Sequence, residues 1–452
     1  MLDQLGLDLV LLILLSLPRL VDKTHLAQSN RILARLLREE VVKVRELPEA
    51  PAIKLGVNYL KERVVIDVYD SSEDESSGDE SSGDESTGRI SPLDLRVNLG
   101  LLVRFNALMI ELNVEGTKLG DAGAIIVADA LKCNVVLTNL NLALNEIGDV
   151  GAVTIAEALK VNRVLTALDL SGNSIGDEGA KAIGNALMVN RVMTELYLNS
   201  NKIGDTGAAA IGNALKVNAV LTDLSLEAND IGEKGAIALA GALKFNTTLI
   251  TLWIPANNIS NEGAMALGEA LKENAVLTTL SMWLNDICDT GAMFLGEALE
   301  ENTILTSLDL SSNRILDAGA AAVGNALKNN TALNTLSIGH NNLSEKTALD
   351  ILLVAMEQEK LTSIHLSGCH ITQTGAKKIA ECLEVNPTLK YLDLDDNKIG
   401  PIGATALAQS LKVNVTLNYL NIRRNNIDKG ERETLEQKIL NVVKQQFKLV
   451  IN

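Results

Sequence analysis

The sequence predicts an α/β horseshoe solenoid, with parallel strands inside, helices outside and a small helical unit at the N-terminus. Three observations predict it. One 28-residue phrase recurs twelve times in strict register, opening at Met109, Leu137, Leu165, Met193, Leu221, Leu249, Leu277, Leu305, Leu333, Leu361, Leu389 and Leu417, without insertion or deletion. Each copy joins a Leu-x-Leu alternation, the period of a strand, to an Ala-rich segment with the period of a helix. Apolar residues make up 47% of the chain but aromatics only 2%, as a core of aliphatic side chains requires. A unit this short cannot bury its own apolar face, so neighbours must stack into an extended surface rather than enclose a pocket.

Residues 1–50 come first. The apolar run Leu9–Leu17 is bounded by Asp8 and by Pro18-Arg19 and falls short of the roughly 20 apolar residues that span a bilayer. Asp3 stands where a signal peptide has its basic region, and no small-residue cleavage site follows. The stretch Leu5-Gly-Leu-Asp-Leu-Val-Leu-Leu-Ile-Leu-Leu-Ser-Leu-Pro18 resembles the opening of an F-box, and Val21 to Leu37 resembles its tail. Gly6 replaces the usual Pro, and no Trp or Phe anchors the second half. The resemblance implies helices over residues 5–40 whose Leu9, Ile13, Leu14, Leu17 and Pro18 dock on a Skp1-type adaptor. The plainer reading is a helical hairpin packed on itself or on the first repeats.

Residues 51–70 form a connecting segment with one expected strand, Arg63–Tyr69. Residues 71–90 are a disordered acidic linker of Ser, Asp, Glu and Gly, with nothing to bury. Ser71, Ser72, Ser76, Ser77, Ser81 and Ser82 each precede an acid by three positions, the pattern favoured by kinases of the casein kinase 2 type. The bland reading of this tract is a solubilising spacer. A net charge of −17 and a pI of about 4.8 argue against nucleic acid and anionic membranes as partners. Four cysteines are too few for a disulfide framework and suggest a reducing compartment, the cytoplasm or nucleus.

The solenoid occupies residues 91–452. In each unit the leucines of the strand face the core. Asn eight positions after the opening residue turns the chain inward, and its amide can satisfy backbone groups of adjacent turns. Thr117 and Cys369 are the exceptions. Gly six residues later (Gly123, Gly151 and onward) lies near the start of the helix, and small residues at one helix position (Ala156, Gly184, Gly212, Ala240, Gly268, Gly296, Gly324) let helices approach closely. Leu352 and Thr347 break both series, so the ninth unit should be irregular. Residues 93–106 and a helix over Glu431–Phe447 should cap the ends. These units resemble the long leucine-rich repeats of the ribonuclease-inhibitor class, found also in Ran GTPase-activating proteins and NOD-like receptors. The resemblance covers about three quarters of the chain. It implies protein partners without naming one.

No Gly-x-x-x-x-Gly-Lys-Ser/Thr, His-Glu-x-x-His or Cys-x-x-Cys motif occurs. The chain is therefore read as a non-enzyme without cofactor or metal. His340, His365, Cys369 and His370 cluster in sequence, but register sets them on different faces, so they are read as chance neighbours rather than zinc ligands.

Side chains two, four and six positions after each opening residue should project from the concave sheet. Five of the two Trp and five Tyr residues land there, which core packing does not explain. Trp253 and Trp283 on adjacent units, with Tyr197 nearby, form the expected hot spot. An acidic stripe (Glu111, Glu115, Asp169, Glu195, Asp223, Glu227) accompanies them. Tyr391, Asp393, Asp395, Asp396, Tyr419 and Asp309 continue the face, and Arg423 and Arg424 reverse its sign. The expected function is a protein-interaction adaptor whose partner has basic and apolar features, coupled through the F-box-like segment to an SCF-type ubiquitin ligase. The alternatives are a GTPase-activating protein for a Ran-like GTPase and a plain signalling or immune scaffold.

Overall fold

The computed structural model describes residues 53–60, 63–70, 103, 109–428, 430, 431, 433 and 448–451. The F-box-like segment, the acidic linker with its six serines, most of the 93–106 cap and nearly all of the expected helix over 431–447 lie outside the described residues. The chain divides into two compact units, Met1–Lys202 and Ile203–Asn452.

In the first unit, β1 (Ile53–Leu60) and β2 (Arg63–Asp70) pair antiparallel. Two strands thus occupy the segment where one is expected. β2 runs parallel to β3 (Met109–Asn113), which is followed in parallel by β4 (Asn139–Asn141), β5 (Ala167–Asp169) and β6 (Glu195–Tyr197). Helices α1 (Gly120–Leu131), α2 (Asp149–Val161) and α3 (Asp177–Leu187) separate these strands.

The second unit repeats the arrangement. Its strands are β7 (Asp223–Ser225), β8 (Thr251–Trp253), β9 (Thr279–Ser281), β10 (Ser307–Asp309), β11 (Thr335–Ser337), β12 (Ser363–His365), β13 (Tyr391–Asp393) and β14 (Tyr419–Asn421), all parallel in chain order. Its helices are α4 (Asp205–Leu215), α5 (Glu233–Leu243), α6 (Ser260–Glu273), α7 (Asp289–Glu301), α8 (Asp317–Ala326), α9 (Glu345–Glu357), α10 (Gln373–Val385) and α11 (Gly400–Ser410). A further strand, β15 (Lys448–Val450), pairs parallel with β14. All twelve strands read from the period are present, and β15 is an addition. Among the described residues, no helix is long and apolar enough to cross a membrane.

The leucines of each strand and the aliphatic residues of each helix meet in a dry layer. Leu168, Leu170, Ile175 and Ile183 in the first unit, and Leu252, Ile254, Ile259 and Leu267 in the second, are fully buried. Asn at the turn satisfies that layer's polar edge. Asn173 donates through Nδ2 to the carbonyls of Leu142 (3.0 Å) and Leu170 (2.9 Å), and its Oδ1 accepts from the amides of Asn145 and Ile147. Cys369, in the same position, donates its thiol to the Ser367 carbonyl; burial pushes that thiol up to about 12.

Two further ladders run between units. Asn at the end of each helix segment is buried: Asn162 Nδ2 donates to the Leu131 carbonyl, and Asn274 Nδ2 to that of Leu243. Asn134 makes the same bond to the Val103 carbonyl. The Asp of each Gly-Asp-x-Gly phrase reaches forward to the next helix. Asp149 Oδ1 accepts from the amides of Gly176 (2.7 Å) and Gly179 (2.9 Å) at the start of α3, and Asp121 does the same for Gly148 and Gly151. The glycine is required here: a Cβ on Gly179 would lie 2.8 Å from Asp149 Oδ1 and 2.7 Å from Ile175.

Small residues at the helix contact behave as expected. A Cβ on Gly268 would sit 3.0 Å from the Phe294 carbonyl oxygen, and one on Gly212 2.9 Å from that of Ala238. The ninth unit departs from the pattern. Leu352 is fully buried in place of a small residue, Thr347 replaces the glycine, and Ser344 Oγ caps α9 by accepting from the Thr347 amide.

Candidate protein-binding face

Strand alternation divides each sheet into a helix-covered face and an open face. The leucines at the third and fifth positions after the opening residue are buried, whereas most side chains at the second, fourth and sixth are half-buried or exposed. In the first unit this holds for Asp169, Glu195 and Tyr197, all half-buried, with Glu111 and Glu115 exposed. Tyr197 Oη lies 3.1 Å from Glu195 Oε2, and Asp169 Oδ1 accepts from the Ser171 amide.

The open face of the second unit carries two separate aromatic groups. The first is formed by Trp253 and Trp283, both half-buried. Register pairs Trp253 with Ser225 on one side and Ser281 on the other. Trp283 sits two residues further along its chain, where its carbonyl accepts from the Ala256 amide. The indoles are therefore diagonal rather than direct neighbours. Asp223 and Glu227 flank Ser225 along the chain, and Asp309 is half-buried on β10.

The second group is a stack across β12 to β15. His365 and Tyr391 stack with ring centroids 4.7 Å apart, Tyr391 and Tyr419 at 4.0 Å with nearly parallel rings, and Lys448 Nζ lies 5.7 Å from the Tyr419 centroid. Burial holds the His365 imidazole below its usual value despite the carboxylates of Asp393 and Asp309, and burial together with a bond to Tyr419 raises Tyr391. Arg424 grips Asp395 with Nε and Nη2, while Arg423 is exposed. Sequence reading placed Tyr391 and Tyr419 on this face but not His365 as their stacking partner; the alternation of positions two and four was the signal for it.

Ser363, His365 and Asp393 have the composition of a hydrolytic triad. Ser363 Oγ lies 3.2 Å from His365 Nε2, but His365 Nδ1 is 3.9 Å from Asp393 Oδ2, beyond a hydrogen bond. Asp393 is held instead by Ser367 Oγ and the Asp395 amide. The sequence does hold one Gly-x-Ser-x-Gly spacing, Gly172–Gly176, but it belongs to the repeat: Asn173 is a ladder residue, Ile175 is core, and Gly172 takes a left-handed turn at φ +66°. Among the described residues no three His, Cys, Asp or Glu side chains converge as a metal site. Cys369 lies in the core while His365 faces outward, and His340 and His370 sit on loops at positive φ.

Comparison with known proteins agrees with the repeat architecture. A Leucine Rich repeat family model matches residues 133–156, 161–184, 189–212, 217–240, 245–268, 301–324, 358–380 and 385–408. No curated protein matches. Among solved structures, the chain is similar to leiomodin-1 actin-binding site 2, with 27% identity over 36% of this chain and 76% of that one and a TM-score of 0.25. It is also similar to a chain in the crystal structure of the Rad7 and Elc1 complex in yeast, with 17% identity over 80% of this chain and 89% of that one and a TM-score of 0.46.

Proposed function

Residues 133–408 carry leucine-rich repeats, and on that premise we propose that the protein is a non-catalytic adaptor that binds a protein partner across the open sheet face. One observation carries the reading. Aromatics and carboxylates are gathered on the strand positions that face outward, while several helix-side acids pair with lysines, as in Glu157–Lys160 and Glu269–Lys272. Aromatic anchors ringed by polar groups are the composition of an interface centre. The test is site-directed photo-crosslinking in the cell of origin, with the photoreactive residue placed at Trp283 or, as a control, at Lys181 on α3. The reading expects a partner adduct from position 283 and not from 181. Equal adducts from both positions would defeat it.

We further propose that residues 1–50 couple this receptor to a ubiquitin ligase through a Skp1-type adaptor, contacting it with Leu9, Ile13, Leu14, Leu17 and Pro18. The F-box-like spacing of that segment supports this. Binding of purified adaptor to the full chain at micromolar concentration, abolished by Leu14→Asp/Leu17→Asp, is the expected result. No binding would end the ligase reading and leave the adaptor reading standing.

A further inference from the structure

We propose that the open face of β7 to β10 is a receptor for an arginine side chain of the partner, whose guanidinium lies on the Trp253 indole between the carboxylates of Asp223, Glu227 and Asp309. The proposal rests on the adaptor reading and names the chemistry of the partner.

The row through Trp253 reads Ser225, Trp253, Ser281, Asp309 across four strands. Side chains on an open face should be wet, yet Ser225 is 1% exposed, Ser281 8% and Thr251 9%. These residues are too short to shield one another. Trp253 is the one large side chain in this row across β7 to β10, and it stands in register with Ser225 on one side and Ser281 on the other. Beside it, Ser225 Oγ is buried without a hydrogen-bond partner, an arrangement that costs stability unless something completes it. A guanidinium N–H reaching in beside the indole, with a small shift of the ring, would supply the missing donor.

The charges around this platform are unmatched. Asp223 accepts from Thr222 Oγ1 and Asp309 from Ser311, but neither these two nor Glu227 has a cationic partner among the described residues. The second aromatic group is the internal contrast. There Tyr419 already has Lys448 over its ring, and Asp395 already holds Arg424. The combination of aromatic face, carboxylate and cation is complete at β13 to β15 and lacks only its cation at β7 to β10. Arginine fits better than lysine, because a planar guanidinium can stack on the indole while its remaining N–H groups reach the flanking carboxylates.

Both tryptophans of the chain lie on this face, so intrinsic fluorescence reports on it directly. The full chain is titrated with hexa-arginine, hexa-lysine and hexa-citrulline. Hexa-arginine should shift the emission, hexa-lysine should bind roughly three-fold more weakly, and hexa-citrulline should be silent. Asp223→Asn/Glu227→Gln should weaken hexa-arginine about ten-fold, and Asp395→Asn should leave it unchanged. An unmoved emission, or equal affinity in the Asp223→Asn/Glu227→Gln protein, overturns the proposal; thermal melting of that variant verifies that it is folded. If position 283 crosslinks a partner but hexa-arginine does not bind, the arginine assignment alone fails. If hexa-arginine binds but no partner crosslinks there, the adaptor reading alone fails.

Discussion

Replacing Asp149 separates two forces that its carboxylate exerts at once. Its Oδ1 accepts two amides, from Gly176 at 2.7 Å and Gly179 at 2.9 Å, in the first turn of α3. The same side chain sits at the first position of α2, where its charge meets the positive end of that helix. Asp149→Ala removes the acceptor and the charge. Loss of a capping oxygen costs roughly 0.5–2 kcal/mol, and loss of a charge at a helix N-terminus about 0.3–1 kcal/mol, so a total of about 2 kcal/mol is expected. Asp149→Asn keeps an oxygen in place and should cost only the second part, about 0.5 kcal/mol. The protein contains its own precedent: Asn261 bonds the amides of Cys288 and Gly291 at 2.9 and 3.1 Å. Urea unfolding of the full chain followed by far-ultraviolet circular dichroism supplies the measurement, with m-values compared to verify that the same structure unfolds. If the Asn variant loses as much stability as the Ala variant, charge rather than the cross-unit bond dominates and the reasoning fails.

Three other outcomes are expected. Trp253→Ala/Trp283→Ala should cost well under the roughly 3–5 kcal/mol typical of a buried aromatic while weakening partner binding by on the order of 2 kcal/mol; a large loss in melting temperature with intact binding would show that the rings pack as core. Asn257→Ala should cost about 3 kcal/mol, read by urea unfolding, because its amide serves the carbonyls of Leu226 and Pro255 and accepts from the Ile231 amide. His365 has a folded-state pKa below its ordinary 6.5 because of burial; the unfolded chain takes up that proton first, so stability falls as pH drops below about 6.5. Stability of His365→Gln should depend less on pH in that window, and an identical pH profile would refute the burial argument.

The core of each unit was legible because it is local. Leu168, Leu170 and Ile175 announce strand and turn by spacing alone, and Leu352 and Thr347 announced the irregular ninth unit. What escaped depends on the stacking of units. Asp149 bonds an amide 27 residues away and Asn162 a carbonyl 31 residues back, so within one unit both look like ordinary surface polar residues. β15 was missed because Lys448 pairs with Tyr419, one residue out of phase with the 28-residue period. β1 was missed because Gly56 and Asn58 dilute its strand character. On the open face, the positions of Trp253, Tyr391 and Tyr419 followed from alternation. The stacking of His365 on Tyr391 joins position four of one unit to position two of the next, so alternation puts both rings on the face but only the stacking of units makes them partners.

The two ladders point in opposite directions along the chain, and this makes the repeat a reading frame. Asn173 serves backbone groups of the preceding unit, while Asp149 serves those of the following one. A residue gained or lost in any unit would throw both kinds of bond out of phase at two junctions together. Only changes by a whole period leave every donor with an acceptor. The family of viable lengths is therefore discrete: excising residues 277–304 should leave a folding protein one unit shorter, and excising 277–303 should not.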